Sequence, residues 1–546
     1  MNMKSKMLSC WSLATLFAVS CFAASADLRL VEAVKNRDQQ AMQSALKDKA
    51  SVNAAQADGA TALHWAAHWN DLEAADQLLR AGANANAAND YGVTPLTLAC
   101  SNGNAAMVVK LLKAGANPNA AQWSGESVLM TCARAGSVEA AKLLLDRKAN
   151  VNAKTRRAQT ALMWAAAEKH PEVVRLLLER GADANAKSHA LEGFRPAQHI
   201  TYGVHYKAPG KPDPVQPTDL HLDPASSKGG FTALMFAAQQ GDLESARILI
   251  EHGARINETS PDYGSALVMA AASNHEALAT YLLDKGADPN AADGFGFTAM
   301  HHALREGIRA INMSRPSMHS DPRWMPPNMP GLVKALLDHN ANPNARASQG
   351  YPPFNVPAFG RSTGNSMPHL KQPGVTPFFL AAASNDPALM RLLLAKGADP
   401  LLATEEGSTP LMVAAGLGRN EDFSPEEEKR AMEAVQMLVE RGADVNAADQ
   451  DGQTALHAAA YMGSNAIIQY LVSKGAKLDP ADKYGQTPLD IASGDPRHLV
   501  EADKRFAQGR REHKSSAELL LKLGAPALPP AVKRVSQATG PGDPVQ

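Results

Sequence analysis

The feature that most limits this chain is a spacing. A helix-opening pattern begins at Thr61 and returns every 33 residues at Thr94, Ser127 and Thr160. It resumes at Thr232, Ser265 and Thr298, then at Thr376 and Thr409, then at Thr454 and Thr487. Each unit closes on a second pattern, a leucine pair followed by Gly-Ala-Asn/Asp-x-Asn, as in residues 77–86 and 176–185. Self-similarity at this period marks a stack of small supersecondary units, each burying its apolar face only against its neighbours. A chain of 546 residues built this way needs no single core, which at that length would break into several in any case.

Each half of the unit has a physical reading. Thr94 supplies a side-chain oxygen to cap a helix, and Pro95 takes the first helical position, where a missing N–H costs nothing. Ala66–Ala67, Ala165–Ala166 and Ala237–Ala238 keep the first helix thin enough for close stacking, in keeping with a chain of only 5% aromatic residues. Leu111–Leu112 and Leu143–Leu145 mark the second helix. Glycines such as Gly82, Gly115 and Gly181 follow it, where a left-handed conformation ends a helix. Asp90-Tyr91-Gly92 and its counterparts then form a projecting hairpin finger.

With both signatures in eleven copies, residues 28–525 resemble the ankyrin-repeat family. The resemblance implies an all-α repeat solenoid of about 12 units with β-hairpin fingers, and a protein-binding function. It also implies a structural role for His64, His301 and His457, hydrogen-bonded near the turn. The array is expected over 27–525, with 28–60 as an N-terminal cap repeat. Insertions that break the period fall at about 188–229, 312–330, 348–372, 420–428 and 494–514, and residues 526–546 read as a disordered Pro/Gly-rich tail.

Residues 1–26 read as a secretory signal: Lys4 and Lys6, an apolar stretch from Leu8 to Phe22, then Ala24-Ser25-Ala26. The location this implies is periplasmic or secreted. The alternative is a membrane-anchored lipoprotein with lipid on Cys21. Outside the leader only Cys100 and Cys132 remain. Helix axes roughly 8–10 Å apart suggest two buried free thiols. Loss of the leader takes the net charge from −1 to −3, so a nucleic-acid partner is not expected, with Arg156–Arg157 as a local basic exception.

Chemistry finds little footing. No nucleophile elbow, His-Glu-x-x-His or phosphate loop occurs, and Gly294-Phe295-Gly296-Phe297 is explained by a finger. His189, His199, His205 and His221, with Asp213, Asp219 and Asp223, lie in one insertion without an established zinc spacing. No enzyme, metal or cofactor is therefore expected. The resemblance places binding residues after the alanine pair of the first helix and on the fingers: His68, Trp69, Asp90, Tyr91, Trp123, Arg134, Arg156, Arg157, Gln239, Arg305, Tyr461 and Tyr484. The expected function is an extracytoplasmic protein–protein interaction scaffold. The alternatives are a self-associating structural envelope protein, or an enzyme or metal-binding accessory protein using the His-rich insertion.

Overall fold

A computed structural model describes residues 27–189, 229–312, 327–348, 373–419, 422–494 and 512–527. The leader, Cys21, His199, His205, His221 and the tail beyond 527 lie outside the described residues. Among those described, the chain forms twelve helix pairs and one additional helix, in two compact units that meet at Arg255/Ile256.

The first unit opens with the pair Arg29–Lys35 and Gln39–Lys47. Five pairs follow, their first helices being Ala62–His68, Pro95–Ser101, Val128–Arg134, Ala161–Ala167 and Ala233–Gln240. Capping sets each start: Thr94 Oγ1 accepts from Thr97 N at 3.2 Å, and Asn104 opens the second helix by accepting from Met107 N at 3.0 Å. Packing does the rest. Ala66, Ala67, Ala99, Ala133, Ala165 and Ala166 have no exposed surface, and neither have Leu78, Leu111 and Leu144 of the second helices. Each such leucine contributes about 2 kcal/mol by leaving water.

Two ladders hold successive repeats in register. Along the loops after the second helices, Asn86 Nδ2 donates to Gly115 O at 2.9 Å while its Oδ1 accepts from Asn117 N at 2.7 Å. Asn53, Asn119, Asn152 and Asn185 make the same pair of bonds to the repeat that follows each. The amide therefore caps an orphan carbonyl and fixes the next turn at once. Along the fingers, backbone bonds join neighbours: Asp90 N to Asp58 O, Trp123 N to Tyr91 O, Arg156 N to Ser124 O and His189 N to Arg157 O, at 2.9–3.2 Å. Gly92 must be glycine here: its φ is +76°, and a Cβ would sit 3.0 Å from the Gln122 backbone.

The second unit repeats this design with departures. A helix at Arg305–Asn312 stands between Ala299–Ala303 and Pro330–Asp338. The segment 420–428 is partly helical, because Pro425–Glu440 is one helix with a Ser424/Glu427 capping box. The last pair is Pro488–Ala492 and Lys514–Lys522. The single strand pair among the described residues, Thr259–Ser260 with Gly264–Ser265, belongs to a finger. Leu401 occupies an asparagine-ladder position and is 47% exposed; its side chain can form neither bond, so that rung is missing.

The cysteines correct the expectation of free thiols. Cys100 and Cys132 form a disulfide with Cα atoms 4.6 Å apart, both fully buried. Axis separation was the wrong measure. Subtracting two helix radii of about 2.3 Å each from an 8–10 Å separation brings facing Cα atoms to roughly 3–5 Å, well within bridging range.

Two outcomes are expected. Asn119→Leu should cost about 1–2 kcal/mol, the worth of two exposed hydrogen bonds, and Leu401→Asn should recover a comparable amount. Urea midpoints of the two variants check this, and a Leu401→Asn protein no more stable than its parent refutes the ladder assignment. Separately, maleimide should label neither Cys100 nor Cys132 in denaturant without reductant and both after reduction. Reduction should lower the stability of that stretch by up to about 4 kcal/mol, the chain-entropy value for a loop of this size.

Candidate functional site

Among the described residues, the finger strip and the adjoining ends of the first helices carry the exposed aromatic rings. In the first unit Trp69, Tyr91 and Trp123 are 41%, 39% and 42% exposed. They sit on successive repeats, and each is held from within. Trp69 Nε1 donates to Lys35 O at 3.1 Å, its ring stacks on Trp65 at 6.4 Å, and His68 meets its edge at 4.6 Å. Tyr91 lies between Asp90 and Gly92 in a turn that Asn89 Oδ1 closes by accepting from Tyr91 N and Val93 N. Arg156 of the next finger stacks its guanidinium 5.3 Å above the Trp123 ring.

Behind these fingers, Arg134 is half-buried. It pairs with Glu126 at 3.4 Å and lies 5.3 Å over the buried Trp164 ring. Arg157 is half-exposed, and its carbonyl receives the next finger. The Trp164 Nε1 has no hydrogen-bond partner among the described residues. At the same place in an earlier repeat, Trp65 Nε1 donates to Gln56 Oε1 at 2.9 Å. The residue matching Gln56 is Thr155, whose hydroxyl instead accepts from Arg157 N and Gln159 N. Trp65 is half-buried, with the Lys35 ammonium 5.4 Å over its ring, a contact with no signal in the sequence.

The remaining candidates are scattered. Gln239 is half-buried at the end of Ala233–Gln240. In the second unit, Arg305 is turned to structure: the first helix ends early at Ala303, and Arg305 Nη1 donates to Ala272 O at 2.7 Å. Tyr461 is half-buried. Tyr484 is 44% exposed beneath Lys483, whose ammonium donates to Asp451 at 2.6 Å and whose pKa that bond raises.

The histidines of the helix-opening motif are occupied. Thr61 N and Oγ1 both lie within 3.1 Å of His64 Nδ1, and Nε2 reaches Val93 O at 3.0 Å. An Nδ1 that accepts from an N–H leaves Nε2 to donate, so the ring is neutral and fully used. His301 and His457 repeat this with Val375 O and Gln486 O. His302 points elsewhere, to Asp293 Oδ2 at 3.1 Å, with both side chains buried. Among the described residues no three metal-ligating side chains converge, and no helix is long and apolar enough to cross a membrane.

Paired helices, finger strips and an exposed aromatic row define a helical repeat protein. Family models for ankyrin repeats match residues 30–122, 109–188, 216–293, 234–313 and 427–502, and one for a single ankyrin repeat matches 373–402. The chain belongs to the ankyrin-repeat family, whose repeats mediate protein–protein interaction. It is 28% identical to human (Homo sapiens) ankyrin repeat and SOCS box protein 6 over 176 residues, 31% of this chain and 36% of that one. It is 30% identical to the human mitochondrial disaggregase over 233 residues (40% and 30%), and 35% identical to a putative ankyrin repeat-containing protein of Treponema pallidum (strain Nichols) over 82 residues (15% and 28%). The chain thus spans about a third of the length of these curated relatives.

The buried imidazoles give the fold a pH dependence. Burial pushes His301 from 6.5 down to about 4, and His64 and His457 are lowered for the same reason. The unfolded chain then binds protons that the folded one refuses, so stability falls as pH drops below 6.5, with the His301 share complete near 4. That share is about 3 kcal/mol. A His301→Gln variant, which keeps a capping side chain, should lose less stability between pH 7.5 and pH 4.5; equal losses in urea titrations of both proteins would remove His301 as the cause.

Proposed function

We propose that this chain is an extracytoplasmic scaffold that binds a protein partner along the finger strip and first-helix ends of its first unit. One observation carries the reading: Trp69, Tyr91 and Trp123 stand exposed on successive repeats, the two indoles held by contacts of their rings and Tyr91 by the backbone of its turn. Rigid aromatic rings give large contact area at little entropic cost, and Trp, Tyr and Arg are the side chains that dominate interface energetics. The location rests on two supports, the leader-like residues 1–26 and the buried Cys100–Cys132 disulfide, a bond typical of oxidising compartments.

The test is affinity capture from a cell-envelope extract, comparing the native protein with a Trp69→Ala/Trp123→Ala/Arg156→Ala variant of matching circular dichroism. A partner held by the first and weakened at least about tenfold with the second is the expected result. A partner held equally by both moves the site away from this edge. Concentration-dependent self-association without any captured partner replaces the scaffold with a structural role.

A further inference from the structure

The first unit has a local imbalance of charge beside its exposed indole. The finger 153–159 carries Lys154, Arg156 and Arg157 and no acid. Two other cations near the fingers are neutralised at short range, Arg134 by Glu126 and Lys483 by Asp451, while Arg346 donates to the Ala403 carbonyl. Lys154 and Arg156 are exposed, and neither meets a carboxylate among the described residues. Arg156 is nonetheless held in place by its stacking on Trp123, which is itself 42% exposed. A fixed guanidinium, a second unmatched ammonium and an open aromatic edge therefore occupy two adjoining fingers, joined by the Arg156 N to Ser124 O bond.

We infer that this pair of fingers recognises an acidic segment of the partner protein, its carboxylates on Arg156 and Lys154 and an apolar side chain against Trp123. The inference rests on the scaffold reading and names the chemistry of that partner. Charge complementarity selects the occupant. An arginine fork favours planar carboxylates, and the indole beside it favours an apolar neighbour in the same segment. A nucleic-acid strand fits less well. Running along the fingers, it would leave the basic patch after one step and meet Asp90 and then Asp58, whereas a polyanion needs a basic stripe many phosphates long.

The probe is a short fluorescein-labelled peptide of glutamates interrupted by leucine, titrated by anisotropy into the whole protein. A glutamine-for-glutamate version and an oligothymidylate serve as comparators. Binding by the acidic peptide, weakened at least about tenfold by Arg156→Glu, is expected, as is weakening by added salt. Lys142→Glu, an equal charge change on the second helix of the preceding repeat, should leave binding within about twofold. Because Arg156 is exposed, its reversal should also leave the melting curve in place; should it not, Lys154→Glu is read instead.

Equal binding of the neutral peptide, tighter binding of oligothymidylate, or indifference to the charge reversal each overturn the inference. No peptide binding, with native-partner capture still lost in the triple variant, overturns the acidic specificity and leaves the scaffold intact. Failure of both measurements removes the scaffold as well.

Discussion

Everything in each unit depends on how closely one first helix approaches the next. A helix pair cannot bury its own apolar face, so the free energy of folding resides in the contacts between repeats. Those contacts are set by side-chain size at the facing positions. Ala66, Ala99, Ala133 and Ala165 are fully buried. A leucine at any of them would push neighbouring repeats apart by more than a methyl group, and the damage would not stay local. The asparagine ladder and the finger strip both need the same repeat-to-repeat translation, because each bond runs from one repeat into the next. The disulfide between Cys100 and Cys132 is a covalent reading of that distance.

The same dependence explains why the recognition edge is rigid without being buried. Finger tips are short loops that on an isolated unit would be mobile. Here backbone hydrogen bonds tie neighbouring fingers, and five fingers are closed from inside by a side chain, Asn89, Thr155, Asp293, Asp449 or Asp482, that accepts two backbone N–H groups. The finger with the unmatched cations departs in one respect. Its positive-φ position, occupied by glycine in Gly92 and Gly125, is Ala158 at φ 54°. An alanine there costs on the order of 1 kcal/mol, and the surrounding ladder supplies the constraint that keeps it.

Much of this is legible from spacing alone, because the repeat length, the caps and the alanine pairs are local properties that recur along the chain. What escaped notice required knowing how a local element ends. Arg305 was placed at the recognition edge by counting from Thr298 as if the helix had the usual length. The helix instead closes at Ala303, and Arg305 caps the Ala271 and Ala272 carbonyls. The helical start at Pro425 did have a signal, Ser424 with Glu427 three residues on, but the broken period drew the segment toward a loop. The pairing of Cys100 with Cys132 depends on the distance between helix surfaces, not between helix axes. Trp65 and Trp164, both four residues into the same motif, are half-buried and buried, whereas Trp69 and Trp123, past the helix end and on a finger, are 41% and 42% exposed.

That contrast decides where recognition can reside. An inward tryptophan stabilises the stack, and its loss is a loss of fold. An outward one stabilises nothing comparable, and leaving roughly two-fifths of an indole in water has a cost that the stack does not repay. The two exposed indoles and the Tyr91 ring, alongside Lys154 and Arg156, which meet no carboxylate among the described residues, present apolar area and charge on successive repeats. Preorganisation of this kind lowers the entropic cost of association, and it is only possible because alanine-sized contacts further in have already fixed the spacing. On the proposed reading, a partner would meet side chains whose separations are set by the repeat rather than by the partner.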